Sequence, residues 1–338
     1  MSVSLVITLI LVIGVIFVNG WTDAPNAIAT AISTRVLRPN VAIGMAVICN
    51  FLGALIMTMF NAQVAETISK MVRFEGSGNA AQVALAASLF SIVVWAVAAW
   101  WFGIPTSESH ALIAGLTGSA MALGGLGAVN MNEWMKVIIG LFVSTFFGFF
   151  GGYFVTKIVE TVFFHMERRK TNKIFTIGQA GGAAAMSFLH GVQDGQKFMG
   201  VFMLGLFYNG LAEKTPSGGF IIPIWVMVIC SVVMGVGTSV GGMRIIKSVG
   251  MDMVKLEKYQ GFSADLSAAI CLFGASIFGI PVSTTHTKTT AIMGVGAAKR
   301  ISSVDWQLVK EMVMAWVLTF PGCGLIAYIM AKFFVAIF

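Results

Sequence analysis

Apolar stretches long enough to cross a lipid bilayer recur from one end of this sequence to the other. Examples are Val41–Phe60, Ala80–Phe102, Val137–Val155, Ile221–Val240 and Met312–Phe338. A helix that spans a membrane needs about 20 mostly apolar residues. Only 10% of the 338 residues are charged, whereas roughly a quarter are charged in a typical soluble domain. The sequence therefore predicts an all-α polytopic membrane protein.

The rest of the composition excludes other classes. The first apolar stretch, Val3–Val18, has no preceding Lys or Arg and no polar cleavage region after it, so we do not interpret it as a secretory signal. The four cysteines lie within apolar segments and predict neither a disulfide framework nor a zinc site. The net charge of +7 comes from basic residues in short loops between spans, where they set the orientation of the protein in the membrane. We therefore expect no nucleic-acid partner.

Two polar phrases each occur twice, in the same order. FGIPTSESH at 102–110 returns as FGIPVSTTH at 278–286, which is 176 residues later. NGWTDAPN at 19–26 resembles HGVQDGQK at 190–197, at an offset of 171. Matching motifs at nearly equal spacing predict a duplication. The predicted units are a first repeat over 1–164, a cytoplasmic connecting loop over 165–173 and a second repeat over 174–338.

Each repeat predicts about five spans, giving about 10 to 12 transmembrane segments with broken helices and hairpins. In the first repeat the spans are 3–34 (broken), 40–62, 79–102, 107–128 and 133–164. In the second they are 174–209 (broken), 219–242, 262–280, 283–298 and 306–337. An odd number of crossings per repeat implies that the two repeats have inverted topology. A parallel duplication with one miscounted span is the alternative.

The basic residues support the inverted arrangement. After the first motif, the first repeat carries Arg35 and Arg38, where the second has Leu206 and Asn209. After the second motif the asymmetry reverses, because Lys299 and Arg300 stand opposite Leu123 and Gly124. Placing the basic loops in the cytoplasm puts both termini outside it, for a multi-pass protein of the cell (inner) membrane.

The first motif predicts a cation site. Asp23 and Asp194 lie mid-span, where a carboxylate costs about 2.5–3.5 kcal/mol on insertion scales. Glycine and Pro25 beside them can interrupt the helices and free backbone carbonyls. Carboxylate, amide and hydroxyl oxygens together suit an alkali cation. The predicted sodium ligands are Asp23, Asp194, Thr22, Asn26, Gln193, Ser107 and Ser283. The alternatives are that the aspartates bind a proton instead of sodium, or that each is a structural residue whose hydrogen bonds are made by the backbone amides of its own helix.

The second motif predicts helix starts. Pro105 and Pro281 are tolerated in a first turn, and the hydroxyls after them are capping groups. A helix N-terminus attracts phosphate or carboxylate, so these turns predict hairpin tips that hold a small anion inside the membrane. The predicted anion ligands are Asn26, Thr106, Ser107, Ser109, Gln196, Ser283, Thr284 and Thr285. Ordinary N-caps at a membrane surface are the alternative.

Five further polar residues lie in or beside these motifs. His110 and His286 occupy equivalent positions, where we expect them to brace the hairpins by hydrogen bonds or to contact the substrate. His190 stands where the first repeat has Asn19, so it is not predicted as a shared ligand. Glu108 aligns with Thr284. Lys197 aligns with Asn26, from where it would pair with Asp194 or reach the anion.

These motifs resemble the inorganic phosphate transporter (PiT) family of secondary symporters. The resemblance rests on GWTDAPNA at 20–27, HGVQDGQKFMG at 190–200 and GIPVSTTH at 279–286, and it covers both halves. It implies an inverted-repeat transporter that couples inorganic phosphate to sodium or protons. By matching position, Asp23, Asn26, Asp194 and Gln196 would belong to the first-motif sites, and the serines and threonines of 107–109 and 283–285 to the tips. The short connecting loop resembles prokaryotic members.

The prediction is therefore a cation-coupled phosphate symporter that works by alternating access, with sodium favoured as the coupling ion. It is not predicted to be an enzyme, and no cofactor is expected beyond the coupling ions. The alternatives are coupling to protons, transport of another oxyanion, a passive anion channel and an intramembrane hydrolase built on Ser, His and Asp. The small residues of Gly148–Gly152 suit packing within the chain or in a homo-oligomer.

Overall fold

The protein is described by a computed structural model for residues 3–74, 78–102, 106–216, 218–240 and 242–338. Helices make up 84% of it, and the described ranges contain no strands, only isolated bridges. The all-α prediction is therefore confirmed. Membrane burial explains it, because a helix satisfies its own backbone hydrogen bonds where no water can.

The described ranges contain fourteen α-helices, which fall into two sets of seven. In the first half these are α1 (Val3–Thr22), α2 (Pro25–Ser33), α3 (Pro39–Phe60), α4 (Gln63–Lys70), α5 (Gly78–Trp101), α6 (Glu108–Gly124) and α7 (Met131–Phe163). In the second they are α8 (Arg168–His190), α9 (Gln196–Tyr208), α10 (Ile224–Val240), α11 (Met243–Lys247), α12 (Lys258–Ile277), α13 (Thr284–Lys299) and α14 (Trp306–Ile337). A π-helical turn, Gly191–Gly195, joins α8 to α9, and a second, Ser248–Asp252, follows α11. Short 3₁₀ turns, Gly125–Ala128 and Ile301–Ser303, follow α6 and α13.

Within the described ranges, seven helical stretches are long and apolar enough to cross a membrane. They are Val3–Ser33, Pro39–Phe60, Gly78–Trp101, Glu108–Ala128, Met131–Phe163, Lys258–Ile277 and Trp306–Ile337. An eighth arises if α10 and Met243–Asp252 form one span. The chain is a multi-pass membrane protein. The predicted total of 10 to 12 segments counts shorter helices too, such as α13 with 16 residues, and stays a prediction.

The two halves pack through equivalent helix pairs. The helices that start at the two hairpin tips, α6 and α13, are here called the hairpin helices. The last helix of each half packs on the hairpin helix of the other, α14 on α6 and α7 on α13. The contact of α1 with α10 has its counterpart in that of α8 with α3. Two of the three isolated bridges in the described ranges match as well, since Val72–Val129 and Val254–Val304 occupy corresponding places. The pattern is what a duplication predicts. The inverted direction and the boundaries of the repeats stay predictions.

Glycines allow the crossed helices of the two halves to touch. A Cβ at Gly294 of α13 would lie 1.9 Å from the carbonyl oxygen of Phe149 on α7. One at Gly152 of α7 would lie 2.3 Å from the carbonyl oxygen of Ala291. On the other side, a Cβ at Gly118 would lie 2.1 Å from the carbonyl oxygen of Gly324. The run Gly148–Gly152 thus packs within the chain and gives no support for a homo-oligomer.

Replacing Gly294 by alanine will separate α13 from α7. Because the added Cβ meets rigid backbone, we expect a loss of about 1–3 kcal/mol, the usual cost of overpacking. Gly274→Ala in α12 is the matched control, since its Cβ would meet nothing within 4 Å and alanine favours a helix. The thermal midpoints of the two purified variants in detergent test this. Equal midpoints would contradict the close crossing.

Candidate binding site between the two halves

The first aspartate lies where α1 gives way to α2. The backbone N–H groups of Asp23 and Ala24 both donate to the carbonyl of Asn19, at 2.9 and 3.3 Å. Pro25 begins α2 and has no N–H, so the carbonyl of Trp21 loses its usual helical donor. The side chain of Asp23 is only 1% exposed. The predicted interruption of this helix at the carboxylate is confirmed.

The second aspartate lies in a π-helical turn rather than at a break. Residues 191–195 stay helical between α8 and α9, so the predicted unwinding of this span is wrong. The two glycines serve close packing against α3 instead. A Cβ at Gly191 would lie 2.2 Å from the carbonyl oxygen of Asn50, and one at Gly195 would lie 2.6 Å from the Cβ of Ala54. Such π turns are frequent at functional sites.

Both hairpin tips are capped helix starts, as predicted. The hydroxyl of Ser107 accepts a hydrogen bond from the backbone N–H of His110 at 3.3 Å, and Ser283 accepts one from His286 at 3.1 Å. Pro281 lies two residues before its cap, so its predicted place in the first helical turn is wrong. Pro105 lies outside the described residues.

The two tips meet. The rings of His110 and His286 contact edge to face, with their centroids 4.3 Å apart. Phe320 packs on the first ring and Trp316 on the second. Nδ1 of His110 and both ring nitrogens of His286 find no hydrogen-bond partner in the part of the chain described here. The histidines therefore join the helix starts by ring packing and not by the hydrogen bonds we expected.

Asp23 contacts the opposite tip. One of its oxygens accepts hydrogen bonds from Nδ2 of Asn26, at 3.1 Å, and from the hydroxyl of Thr285. Nδ2 of Asn26 also reaches that hydroxyl at 3.0 Å. Among the described residues, the second oxygen of Asp23 and the amide oxygen of Asn26 have no donor. This corner of the site therefore offers two buried acceptors to a cation.

Asp194 is surrounded by donors. Its Oδ2 accepts from Nδ2 of Asn19 at 3.3 Å and from the hydroxyl of Thr284 at 3.2 Å. Nε2 of His190 lies 3.2 Å from the same oxygen without forming a hydrogen bond, and Nδ1 of that ring faces the amide oxygen of Asn50 at 3.0 Å. Its Oδ1 accepts from the hydroxyl of Ser109 at 3.4 Å. Groups from both halves thus converge on one carboxylate.

Lys197 ties Asp194 to both tips. Its ammonium nitrogen lies 2.7 Å from Oδ1 of Asp194 and 2.6 Å from the hydroxyl of Ser109 in α6. It also donates to the carbonyl oxygen of Val282, just before α13, at 2.6 Å. The side chain has no exposed surface. A buried ammonium with three oxygen partners is fully satisfied, and it compensates the charge of Asp194.

Glu108 and Asn19 add further buried oxygens near the two aspartates. Glu108, in the first turn of α6, is 2% exposed, and neither of its oxygens has a hydrogen-bond donor among the described residues. The amide oxygen of Asn19 lacks one as well. Ligand atoms of Asp23, His190 and Asp194 lie within 4.8 Å of one another, close enough to share a metal ion. Oxygen atoms of this kind are preferred by hard cations.

Four predicted ligands lie apart from this cluster. The hydroxyl of Thr22 bonds to the carbonyl of Val18 in its own helix, at 2.8 Å. Gln193 donates to Ser276 at 2.9 Å and accepts from the backbone N–H of Val282 at 3.4 Å, so it bonds to the chain just before α13 and not to the aspartates. Gln196 donates to the carbonyl of Asn61 at 2.6 Å, and its amide oxygen has no donor among the described residues. Thr106 is half-buried ahead of the cap. The cluster does contain Asp23, Asn26, Asp194, Ser109, Thr284 and Thr285, with Ser107 and Ser283 as the caps.

Sequence reasoning missed Asn19 and His190 as partners of Asp194. His190 was set aside because it differs from its counterpart Asn19, but the two halves need not carry the same residue to reach the same carboxylate. The signal was present, since both positions are polar within an apolar span. Lys197 was correctly placed as a candidate partner of Asp194.

Comparison with known proteins identifies the family. Residues 19–327 match the sequence profile PHO4, described as the phosphate transporter family. The chain belongs to the phosphate transporter family. Since this is a family of transporters rather than enzymes, the hydrolase alternative is excluded.

Two bacterial relatives extend the match over almost the whole length. A "probable low-affinity inorganic phosphate transporter" of Bacillus subtilis is 38% identical over 334 residues, covering 97% of this chain and 98% of the relative. A protein of the same description in Rhizobium meliloti is 39% identical over 311 residues, covering 92% and 90%. A solved structure, "The sodium-dependent phosphate transporter", superposes with a TM-score of 0.90, at 22% identity and full coverage of both chains. It shows that the fold is shared.

The two aspartates of this phosphate transporter family member should differ in their effect on stability. Asp194→Asn leaves the buried ammonium of Lys197 without its counter-charge, and breaking such a pair costs about 3–5 kcal/mol. Asp23→Asn removes a carboxylate with no cationic partner and should leave stability almost unchanged or raise it. Thermal unfolding of the purified variants, with phosphate and sodium absent, measures the difference.

Asp265→Asn is the matched control for that comparison. It breaks the other fully buried ion pair of the described chain, between Asp265 and Lys288, which Thr30 also contacts. We expect it to destabilise the protein as Asp194→Asn does. Equal loss of stability from Asp23→Asn and Asp194→Asn would contradict the assigned pairing.

Proposed function

We propose that this protein is a secondary active symporter that imports inorganic phosphate together with a cation, sodium in preference to a proton, by alternating access. The observation that carries the proposal is the meeting of two helix N-termini beside two buried aspartates, in a member of the phosphate transporter family. The relatives' descriptions as phosphate transporters support phosphate as the anion.

The hairpin tips suit the anion. The starts of α6 and α13 each bring the positive end of a helix dipole to the same place, and such ends bind phosphate. The hydroxyls of Ser107 and Ser283 accept from the helix N–H groups and keep their own O–H to donate to phosphate oxygens. Those of Ser109, Thr284 and Thr285 donate to the two aspartates here and would turn from them to reach the anion. Tetrahedral oxyanions in general fit this chemistry, so other oxyanions are outcomes of the test.

The carboxylates explain why a cation must accompany the anion. Asp23, Asp194 and Glu108 are buried near the tips, and only Lys197 opposes them in the described cluster. Phosphate brought into this low-dielectric region would meet strong repulsion. A cation bound beside Asp23 removes part of it, so binding of the two ions is coupled. Amide oxygens next to the carboxylate favour sodium, because a proton needs the carboxylate alone.

Burial of the site favours alternating access. The predicted ligands in the cluster are between 0 and 3% exposed, so neither ion reaches them without movement of helices. The interruption between α1 and α2 and the π turn before α9 are the places where the ladder of helical hydrogen bonds changes, and such places act as hinges. The equivalent packing of the two halves supports a pair of repeats around the site. Their inverted direction, with both termini outside the cytoplasm, rests on the distribution of basic residues in the loops.

Uptake of radiolabelled phosphate into liposomes containing the purified protein tests the proposal. We expect accumulation above equilibrium under an inward sodium gradient. Accumulation driven only by a pH gradient would assign the coupling to protons. Movement that never exceeds equilibrium under any gradient would indicate a channel, and equal competition by sulfate would indicate a general oxyanion carrier.

Loss of the Asp23 carboxylate should abolish the coupling. We expect Asp23→Asn to lower sodium-driven uptake at least about tenfold, because the cation loses its charged ligand. Glu311→Gln also replaces a carboxylate by an amide, but at an exposed position of α14. It is the control and should transport normally. Sodium-driven uptake by Asp23→Asn at the wild-type rate would contradict the assigned cation position.

A further inference from the structure

The two halves carry matched sets of three residues at the site. Each set has an aspartate, the residue three positions later and the hydroxyl residue two positions after the capping serine of the opposite hairpin tip. They are Asp23, Asn26 and Thr285 in one set, and Asp194, Lys197 and Ser109 in the other. The first two members of each set are offset by 171 residues and the third by 176. The contacts repeat too, because Asn26 and Lys197 each bond to the aspartate and to the hydroxyl of their own set.

The two sets differ in one chemical respect. Asn26 keeps a buried amide oxygen, which has no donor among the described residues, and its Nδ2 bonds to Asp23, whose second oxygen has no donor either. Lys197 has three N–H donors and no acceptor. The set around Asp23 can therefore ligate a cation, whereas Lys197 cannot be a ligand to one.

The ammonium of Lys197 itself has the surroundings of an alkali ion. Oxygens of a carboxylate, a hydroxyl and a backbone carbonyl lie 2.7, 2.6 and 2.6 Å from its nitrogen. All three of its protons are used by these contacts, which leaves none for phosphate. Its charge also opposes entry of a second cation beside Asp194.

We propose that the ε-ammonium group of Lys197 is a built-in cation that takes the cation position of the second set, so that the protein binds one coupling cation, beside Asp23. The inference rests on the proposed function and specifies the number and place of its coupling ions. Lys197 holds Asp194, Ser109 and the Val282 carbonyl together in every state of the cycle, a task that a dissociable ion would perform only when bound.

Counting bound sodium tests this directly. Equilibrium binding of ²²Na to the purified protein in the presence of phosphate should give about one ion per chain, since the number of binding sites sets the saturation level. Lys197→Asn puts the residue of the first set into the second, and we expect about two ions per chain, with a correspondingly steeper sodium dependence of uptake. Adding Asp194→Asn to Lys197→Asn should return the count to one.

The reciprocal variant, Asn26→Lys, provides an independent test if Lys197→Asn folds poorly. It places a second ammonium beside Asp23 and should remove sodium binding, although thermal unfolding shows a folded protein. Two sodium ions in the wild type, or no gain in a folded Lys197→Asn variant, would overturn the inference.

The same counts separate this inference from the proposed function. No sodium in the wild type but one in Lys197→Asn would retain the role of Lys197 and move the wild-type coupling to a proton. No sodium in any variant would contradict both the sodium coupling and the inference.

Discussion

The contact of Lys197 with Asp194 is the interaction on which the rest of the site depends. The ammonium reaches the carboxylate on the π turn, the Ser109 hydroxyl at the start of α6 and the Val282 carbonyl just before α13. It therefore fixes the two hairpin tips relative to the span that passes between them. The free-energy cost of removing this pair from water is offset because the carboxylate is close and every hydrogen bond of the ammonium is made. A membrane protein gains no hydrophobic stabilisation between helices that lipid does not also offer, so such a polar centre specifies the arrangement.

Close helix crossings bring the polar centre together. The hairpin helix of each half lies under the long last helix of the other, and glycine at the crossings lets the backbones touch, as Gly294 does against Phe149 and Gly118 against Gly324. The halves are thus interlocked rather than side by side. A movement that opens the site to one face must then bend helices within a half, and the interrupted α1–α2 segment and the π turn provide places for this.

The sequence predicted much of this arrangement, for physical reasons. Apolar length predicts a span, and capping hydroxyls predict a helix start, so the bounds of most helices and both tips were correct. The sequence could not predict which side chains of different spans touch, because a span that is apolar all round has no periodic pattern to show which face meets another helix. Hence His190 was passed over. The assignments of Gln193 and Gln196 as ligands stay predictions, since in this structure they bond to Ser276, Val282 and Asn61. The glycines at 191 and 195 predicted a break because glycine permits both unwinding and close packing.

The central claim is that the anion lies between the two helix starts, with the cation on the Asp23 side of Lys197. Anomalous diffraction from crystals grown with arsenate in place of phosphate is the most direct test. The account predicts one anomalous peak within hydrogen-bond reach of the hydroxyls of Ser107 or Ser109 in one half and of Ser283 or Thr284 in the other. A peak at a site that contacts only one half, or at the membrane surface, would contradict it.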